Sequence, residues 1–406
     1  MNKNQRAQNN YLETQQNQMT QRRIYLDNNA TTPIAEEVKE AMLPYLTEYH
    51  GNPSSIHVSG KEAKEAVESA RRQVAKLINT IPRRIVFTGG GSESNNLALK
   101  GIAFKLRDKG KHIITTNIEH PAIIKTCNFL EKLGYEVTYL AADSFGSINP
   151  KQLRASIKKE TILVSIMLAN NEVGTILPIK ELAIVAHTKG VLFHTDAVQA
   201  IGKLEVDVDE LGFDLLSIAG HKFYSPKGVG ALFIKKGIYI EPLIHGGGQE
   251  NGLRAGTENV ASIVGLGKAA ELAYNNLHQT DRIKLLRDKL EQGIKKLMPA
   301  AKLNGPSIKR LPNTLNMTLP DIRGESLVMA MDKKGISLSS GSACNSGSPV
   351  PTHVLLSMGR TEDEAHCSVR FSLSNYTTEE EIDYTIDVLG KALKEIKDRN
   401  STLSCR

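Results

Sequence analysis

The sequence has no apolar run that approaches the roughly 20 residues needed by a membrane-spanning helix. It has only four cysteines, and none forms a CxxC pair or shows the spacing of a structural zinc site. The formal net charge of +7 is small for 406 residues, and no dense basic cluster with interleaved aromatics is present. We therefore predict a cytoplasmic protein with reduced thiols, which binds neither membranes nor nucleic acid directly.

The length exceeds what one hydrophobic core usually serves, so two domains are expected. Residues 1–23 are polar, rich in Gln and Asn, and too poor in apolar side chains to fold alone. They are predicted to be a disordered leader. A strand–helix alternation follows and predicts a large domain over residues 24–263. The pattern then changes, and residues 264–406 are predicted to form a smaller α+β domain.

Short apolar runs rich in β-branched residues predict the strands of the large domain. They are Ile85–Thr88, His112–Thr116, Val137–Leu140, Ile162–Leu168, Val191–Thr195, Leu215–Ile218 and Val229–Ile234. Helical patterns separate most of them, which predicts an α/β fold with a mostly parallel sheet covered by helices on both faces. The last two runs are joined by a short connection and are expected to pair antiparallel. Ligands of such sheets bind beyond the carboxyl ends of the strands, so strand-end residues are the functional candidates.

The smaller domain is predicted from a different mixture of elements. A long helical pattern covers Ile263–Leu297, and strand-like segments follow at Leu311–Thr318 and Ser368–Leu373. A final helix is predicted over Glu379–Ile396. These elements alternate less regularly than those of the large domain, which is typical of an α+β arrangement.

A glycine-rich turn, Gly89-Gly90-Gly91-Ser92, lies between the first predicted strand and a helix. Backbone amides at a helix N-terminus and a nearby hydroxyl form a suitable phosphate site. Taken alone, the glycines are explained equally well by a tight turn that binds no phosphate. The turn lacks both the GKS or GKT ending of a P-loop and the GxGxxG spacing of a dinucleotide site, so a nucleotide is disfavoured.

Two further polar residues follow later strands. Asp196 could pair with a protonated pyridine nitrogen or merely cap the next helix. Lys222 is restrained after a strand and a Gly-His step, where it can form a Schiff base. Lys227 competes by proximity, but its Ser-Pro-Lys-Gly turn is expected to be exposed. The glycine turn, the carboxylate and the amine together suit one cofactor, pyridoxal 5′-phosphate.

Cys344 lies in a loop in which small residues on both sides give the thiol little apolar cover. A structural cysteine is normally buried and inert, whereas an exposed thiol on a flexible loop is available as a nucleophile. Cys127 falls on the apolar face of a helix, Cys367 precedes a strand, and Cys405 lies in the tail. These three are predicted to be structural.

Nine segments between Ile24 and Leu389 resemble, in order, those of the cysteine desulfurases of the NifS/IscS type, in the class-V aminotransferase family. They are DNNATTP, GNPSS, TGGGSESNN, EHPA, ANNEVGT, DAVQ, GHKFYSPKGVGAL, RAGTEN and SSGSACNSG. The resemblance implies fold type I of the pyridoxal-phosphate transferases and conversion of L-cysteine to L-alanine, with the sulfur left as a persulfide on Cys344. It also implies a homodimer and a sulfur acceptor, either a scaffold protein for iron–sulfur clusters or a tRNA-thiolation protein.

The resemblance also implies a role for each matching residue. Lys222 would carry the cofactor, Asp196 would pair with the pyridine nitrogen, and Gln199 would contact the ring oxygen. His120 would stack on the ring and assist proton transfer. Gly91, Ser92 and His221 would contact the phosphate, and Thr257 would contact the phosphate of the partner subunit. Asn171 would contact both cofactor and substrate. Arg370 would bind the substrate carboxylate, which its guanidinium fork matches.

Two positions depart from the family pattern, and two alternatives stay open. Ala219 stands where many relatives have a hydroxyl, which removes a hydrogen bond worth roughly 1 kcal/mol. Ser92 replaces a common Thr and keeps the hydroxyl. A selenocysteine lyase or a β-eliminating lyase would have the same fold, and the latter would not need Cys344. A sulfur-relay or assembly protein without catalysis is disfavoured by the intact set of Lys222, Asp196, His120 and Cys344.

Overall fold

The computed structural model describes residues 23–340 and 351–404, with side chains up to residue 398. Residues 1–22 of the predicted leader, Cys344 and Cys405 lie outside the described residues. In these two ranges, no helix is long and apolar enough to cross a bilayer.

The strands of the described residues form one large and two small sheets. The strands are β1 (Ile24–Tyr25), β2 (Ile85–Thr88), β3 (His112–Thr116), β4 (Glu136–Leu140), β5 (Thr161–Ser165), β6 (Leu192–Asp196), β7 (Leu215–Ala219), β8 (Gly230–Ile234), β9 (Lys302–Leu303), β10 (Thr314–Thr318), β11 (Ile336–Ser337), β12 (Ser339–Ser340) and β13 (Ser368–Ser372).

The helices connect and cover these sheets. They are α1 (Glu36–Met42), α2 (Pro44–Thr47), α3 (Val58–Leu77), α4 (Gly91–Lys105), α5 (Pro121–Lys132), α6 (Pro150–Ser156), α7 (Ile179–His187), α8 (Val208–Leu211), α9 (Val260–Asn276), α10 (Thr280–Leu297), α11 (Gly324–Asp332), α12 (His353–Ser357), α13 (Glu362–His366) and α14 (Glu379–Ser404).

The large sheet has the strand order β2-β8-β7-β6-β5-β3-β4. Pairing is parallel between neighbours from β7 to β4, and β8 is antiparallel to both β7 and β2. The prediction of a mostly parallel sheet whose last two strands pair antiparallel is confirmed. Five of these strands, β2, β3, β5, β7 and β8, are buried along their whole length, as sheets covered on both faces require.

Successive residues of a strand enter different cores on the two faces of the large sheet. Ile113 packs with buried residues of α4 and α5, whereas Ile114 packs with those of α3 and α7. In the same way, Leu163 packs in the core of Ile113 and Val164 packs in the core of Ile114. Helices therefore cover both faces, as predicted, and leave the carboxyl ends of the parallel strands open.

A second core lies between the antiparallel sheet β12-β13-β10-β9 and helices α10, α11 and α14. Ile24 and Leu26 belong to this core, because β1 pairs in parallel with β11. Helix α9 spans residue 263, the predicted end of the large domain, and its buried Leu266 lies in a core of the large sheet. The division of the chain at residue 263 stays a prediction.

The predicted helix Ile263–Leu297 was wrong as one element. A 3₁₀ turn at Leu277–Gln279 separates α9 from α10. Asn275 and Asn276 precede this turn, and asparagine competes with helical hydrogen bonds through its own side chain. The apolar periodicity continues across the break, which is why the sequence pattern alone did not reveal it.

Candidate active site

A cavity of about 620 Å³ lies where the chain leaves the carboxyl ends of β2, β3, β6 and β7. It brings together most of the residues that the sequence singled out. Those that line it are Gly91, Ser92, His120, Asn171, Asp196, Gln199, His221, Lys222 and Arg370. Thr257 is exposed and is not among the lining residues, and Cys344 lies outside the described residues.

The glycine turn after β2 forms one end of the cavity. Gly90 has a φ of +143°, which favours glycine, and helix α4 begins at the next residue. A Cβ on Gly91 would lie 2.8 Å from Val198 Cγ2 and 3.1 Å from Ala219 Cβ. Only glycine fits this approach, which leaves the amides of the first helical turn accessible from the cavity. Amides without intrahelical partners at this position can bind an anion.

Asp196 is the last residue of β6 and is 6% exposed. Its Oδ2 accepts a hydrogen bond from Asn95 Nδ2 at 2.6 Å, and its Oδ1 accepts one from the amide of Val198 at 3.0 Å. The carboxylate is therefore held in one orientation at the cavity wall. Sequence reasoning missed Asn95, although its position four residues after Gly91 places it on the same face of α4.

Lys222 ends a 3₁₀ turn that directly follows β7. Its Nζ donates to the backbone carbonyls of Asn29, at 2.6 Å, and of Ala30, at 2.8 Å. Gln199 Nε2 donates to the same Asn29 carbonyl at 3.0 Å. The predicted exposure of Lys227 is confirmed, so Lys222 is the lysine whose amine is fixed inside the cavity.

His120 caps helix α5, because its Nδ1 accepts a hydrogen bond from the amide of Ala122 at 3.1 Å. A nitrogen that accepts this bond carries no proton, so the neutral ring has its proton on Nε2. Burial lowers the pKa of His120, and Lys222 adds to this effect while Asp196 opposes it. The ring is therefore a neutral donor near pH 7.

Glu119 precedes His120 and is fully buried. Its Oε1 accepts from the amide of Met167 and from Thr116 Oγ1, both at 2.9 Å. Burial raises the pKa of Glu119 to about 8, and the charge of Asp196 adds to the shift. At neutral pH this carboxyl group is mostly protonated, so it adds little negative charge behind His120.

His221 lines the cavity beside Lys222. Burial, together with the charges of Lys222 and Lys227, lowers the pKa of His221 to about 4. Its Nδ1 lies 3.2 Å from Thr31 Oγ1. A neutral imidazole in this position can donate one hydrogen bond to an anion without adding a charge.

Arg370 on β13 reaches the cavity from the small antiparallel sheet. Its Nη1 donates to the carbonyl of Asn171 at 3.1 Å, and its Nη2 pairs with Asp27 Oδ1 at 2.7 Å. Its Nε is buried without a partner. Because a guanidinium has five N–H groups, donors remain for a substrate carboxylate. The contact with Asp27 was not foreseen from the sequence.

The cysteines of the described residues outside the cavity are structural, as predicted. Cys127 is completely buried, and burial raises the pKa of its thiol to about 12. Cys367 is 3% exposed, and burial raises its pKa as well. Within residues 23–340 and 351–404, no group of His, Cys, Asp or Glu side chains has the arrangement of a metal site.

The residues of this cavity fit pyridoxal phosphate. The amine of Lys222 and the carboxylate of Asp196 supply the two charged contacts that the ring needs. The glycine turn, where a Cβ on Gly91 would not fit, supplies backbone amides for the phosphate. The cavity can therefore hold the cofactor between a cation, an anion and the first turn of α4.

Comparisons with known proteins give a consistent result. The chain matches the family described as aminotransferase class-V over residues 24–385. Cysteine desulfurase IscS of Dictyoglomus turgidum is 52% identical over 377 residues, which are 93% of this chain and 96% of that protein. A solved NifS-like protein has 41% identity and a TM-score of 0.87 over 92% of this chain and 99% of its own. A solved complex of SspA with cysteine has 39% identity and a TM-score of 0.78 over 87% of this chain and 100% of its own.

Proposed function

The chain belongs to the class-V aminotransferase family, among its NifS/IscS-type cysteine desulfurases, and on this premise we propose that it converts L-cysteine to L-alanine and retains the sulfur as a persulfide on Cys344. Its α/β architecture is fold type I of the pyridoxal-phosphate transferases. The observation that carries the proposal is the meeting of Lys222, Asp196 and the glycine turn in one cavity, each just beyond the carboxyl end of a strand of the large sheet.

Six residues of the cavity would contact the cofactor. Pyridoxal phosphate, when bound, supplies a carbonyl for amines and an electron-accepting ring. Lys222 would hold it covalently and Asp196 would pair with its pyridine nitrogen. Gln199 would donate to the ring oxygen. The phosphate contacts would come from Gly91, Ser92 and His221.

The substrate would enter between the ring site and the small sheet. The guanidinium of Arg370, fixed by Asp27 and the Asn171 carbonyl, would bind the carboxylate of cysteine together with the Asn171 side chain. This contact would place the substrate Cα near the Lys222 amine. Lys222 would then take and return the proton at Cα, and the Nε2 proton of His120 would assist it.

The sulfur would leave the substrate by attack of a thiolate. Cys344 would form a bond to the substrate sulfur while the bond between that sulfur and Cβ breaks. The electron pair stays with the carbon fragment, which takes up protons and is released as alanine. Cys127 and Cys367 are unsuited to this role, because burial raises the pKa of both thiols.

A second copy of the chain would complete the phosphate site through Thr257. This residue is exposed and lies outside the cavity of its own chain. Three residues earlier, Arg254 pairs with Glu93 of the first turn of α4 at 3.0 Å. The segment is thus tied to the first turn of α4, while Thr257 itself stays exposed to a partner. This arrangement supports a homodimer with shared active sites.

The persulfide would pass to an iron–sulfur scaffold protein or to a tRNA-thiolation protein. Both acceptors take sulfur directly from an exposed persulfide, and the small residues around Cys344 favour such a transfer. We infer a cytoplasmic setting, because the reaction needs a reduced thiol.

The experiment that tests this function combines a visible spectrum with product analysis. Purified protein with pyridoxal phosphate should be yellow and should form alanine from L-cysteine. Lys222→Ala should abolish turnover, and Cys344→Ala should lose the persulfide. A Cys344→Ala protein that released sulfide at the full rate would instead indicate a β-eliminating lyase.

A further inference from the structure

Lys203 lines a small cavity that it shares with Lys222, and neither the sequence nor the proposed reaction assigns a role to it. It lies seven residues after Asp196 and is only partly exposed. Its Nζ donates to Gln199 Oε1 at 2.9 Å and to the carbonyl of Gln199 at 3.2 Å. Burial, together with the charges of Lys222 and Arg370, lowers the pKa of Lys203 to about 7.

The fold brings Lys203 directly beneath the Lys222 turn. Gly202 has a φ of +75°, and a Cβ there would lie 2.8 Å from Phe223 Cβ. Because Phe223 follows Lys222, this close approach fixes the two lysines on adjacent segments. Both also line a cavity of about 20 Å³ behind the main one, a volume that suits about one water molecule.

A chain of hydrogen bonds connects the two amines. Lys203 donates to Gln199 Oε1, Gln199 Nε2 donates to the Asn29 carbonyl, and Lys222 donates to that same carbonyl. Gln199 and Asn29 are 5% and 2% exposed, so solvent cannot easily replace these bonds.

The chemistry of the end groups fixes the orientation of the Gln199 amide. The amine of Lys203 donates to Gln199 Oε1, so the amide oxygen faces Lys203. A carbonyl only accepts, so the amide nitrogen must face Asn29. The second N–H of Gln199 is then left for the cavity, where the ring oxygen of the cofactor would lie. When Lys222 leaves the Asn29 carbonyl to react, Gln199 still donates to it.

We propose that Lys203 is a positioning residue of the active site, which holds Gln199 with its N–H groups toward the cofactor and thereby keeps the Asn29 carbonyl in place for Lys222. The inference rests on the proposed function, because Gln199 acts on the ring oxygen. A purely structural role, in which Lys203 only caps its own turn through the Gln199 carbonyl, would not depend on the Gln199 side chain.

A double-mutant cycle separates the two roles. The proteins are wild type, Lys203→Met, Gln199→Met and the double variant, with Lys268→Met as matched control. Lys268 is also partly exposed and pairs with Glu271, but it lines neither the small cavity that Lys203 shares with Lys222 nor the main cavity. For each apo-protein we would measure the dissociation constant of pyridoxal phosphate, the visible absorption maximum after loading, and thermal unfolding.

Lys203→Met should weaken cofactor binding about tenfold, which corresponds to the net value of one buried hydrogen bond, and should shift the absorption maximum. The same change in the Gln199→Met background should have no further effect on either quantity. Lys268→Met should match wild type.

Two results would overturn the inference. One is a Lys203→Met protein with unchanged affinity and spectrum, and the other is an effect that adds fully to that of Gln199→Met. If Lys203→Met did not fold, a Gln199→Met protein that bound the cofactor like wild type would be equally decisive. A wild-type protein that did not bind pyridoxal phosphate would contradict the proposed function itself, so the two failures are distinguishable.

Discussion

Replacement of Arg71 by methionine should destabilise the fold through a buried ion pair with Glu250. The guanidinium of Arg71 contacts both carboxylate oxygens, at 2.7 and 2.8 Å, and lies 4.6 Å from the ring centroid of Phe87. It also donates to the carbonyl of Ile85 at 2.9 Å. The side chains of Arg71 and Glu250 are 10% and 3% exposed. Loss of Arg71 therefore leaves a buried carboxylate with one main-chain donor, the amide of Phe87.

The size of the effect follows from this geometry. Removal of one partner of a buried ion pair costs about 4 kcal/mol. Unfolding entropy is about 2.1 cal/mol/K per residue, so a chain of this length should lose about 5 °C of Tm. The double variant Arg71→Met/Glu250→Met should recover part of the loss, because it leaves no unpaired charge.

Thermal unfolding followed by circular dichroism measures the effect on the apo-protein. Arg72→Met is the matched control, because the adjacent Arg72 forms an exposed pair with Glu65 and should contribute less than about 1 kcal/mol. An Arg71→Met protein that unfolded at the temperature of this control would refute the reasoning. A double variant less stable than Arg71→Met alone would refute it as well.

Three further predictions concern the cavity. Burial raises the pKa of Glu119 from 4.5 to about 8, so its contribution to stability is present below pH 4.5 and is lost as the pH rises through 8. In urea unfolding, Glu119→Gln should therefore gain stability relative to wild type from pH 5 to pH 9. A difference in stability that stays constant over this range would contradict the prediction. His120→Gln should lower kcat for alanine formation about 100-fold and retain cofactor affinity, because it removes a proton-transfer group. An unchanged kcat would exclude a role of His120 in proton transfer. Arg370→Lys should raise KM for cysteine about tenfold with a smaller change in kcat, because lysine cannot form the bidentate contact. An effect confined to kcat would argue against binding of the substrate carboxylate by Arg370.

Most of the fold was predictable because the signals are local. The strands of the large sheet are short apolar runs, and both the parallel arrangement and the antiparallel pairing of β7 with β8 are confirmed. Asp196 and Lys222 could be selected because they stand at strand ends, where a parallel sheet binds ligands. The family suggested by the nine segments is also confirmed.

The contacts that tune the site could not be predicted, because they join distant parts of the chain. Asn95 reaches Asp196 from another strand–helix unit, and Asp27 reaches Arg370 across 343 positions. The connection of Lys203 to Lys222 passes through Gln199 and the carbonyl of the distant Asn29. No spacing in the sequence encodes such pairs.

The most direct test of the account is a single turnover of the yellow protein with L-cysteine, followed by mass analysis of the peptide that contains Cys344. We expect one alanine released for each sulfur atom added to Cys344, and neither product from Lys222→Ala. Alanine formation with an unmodified Cys344, or a persulfide on Cys127 or Cys367 instead, would contradict it.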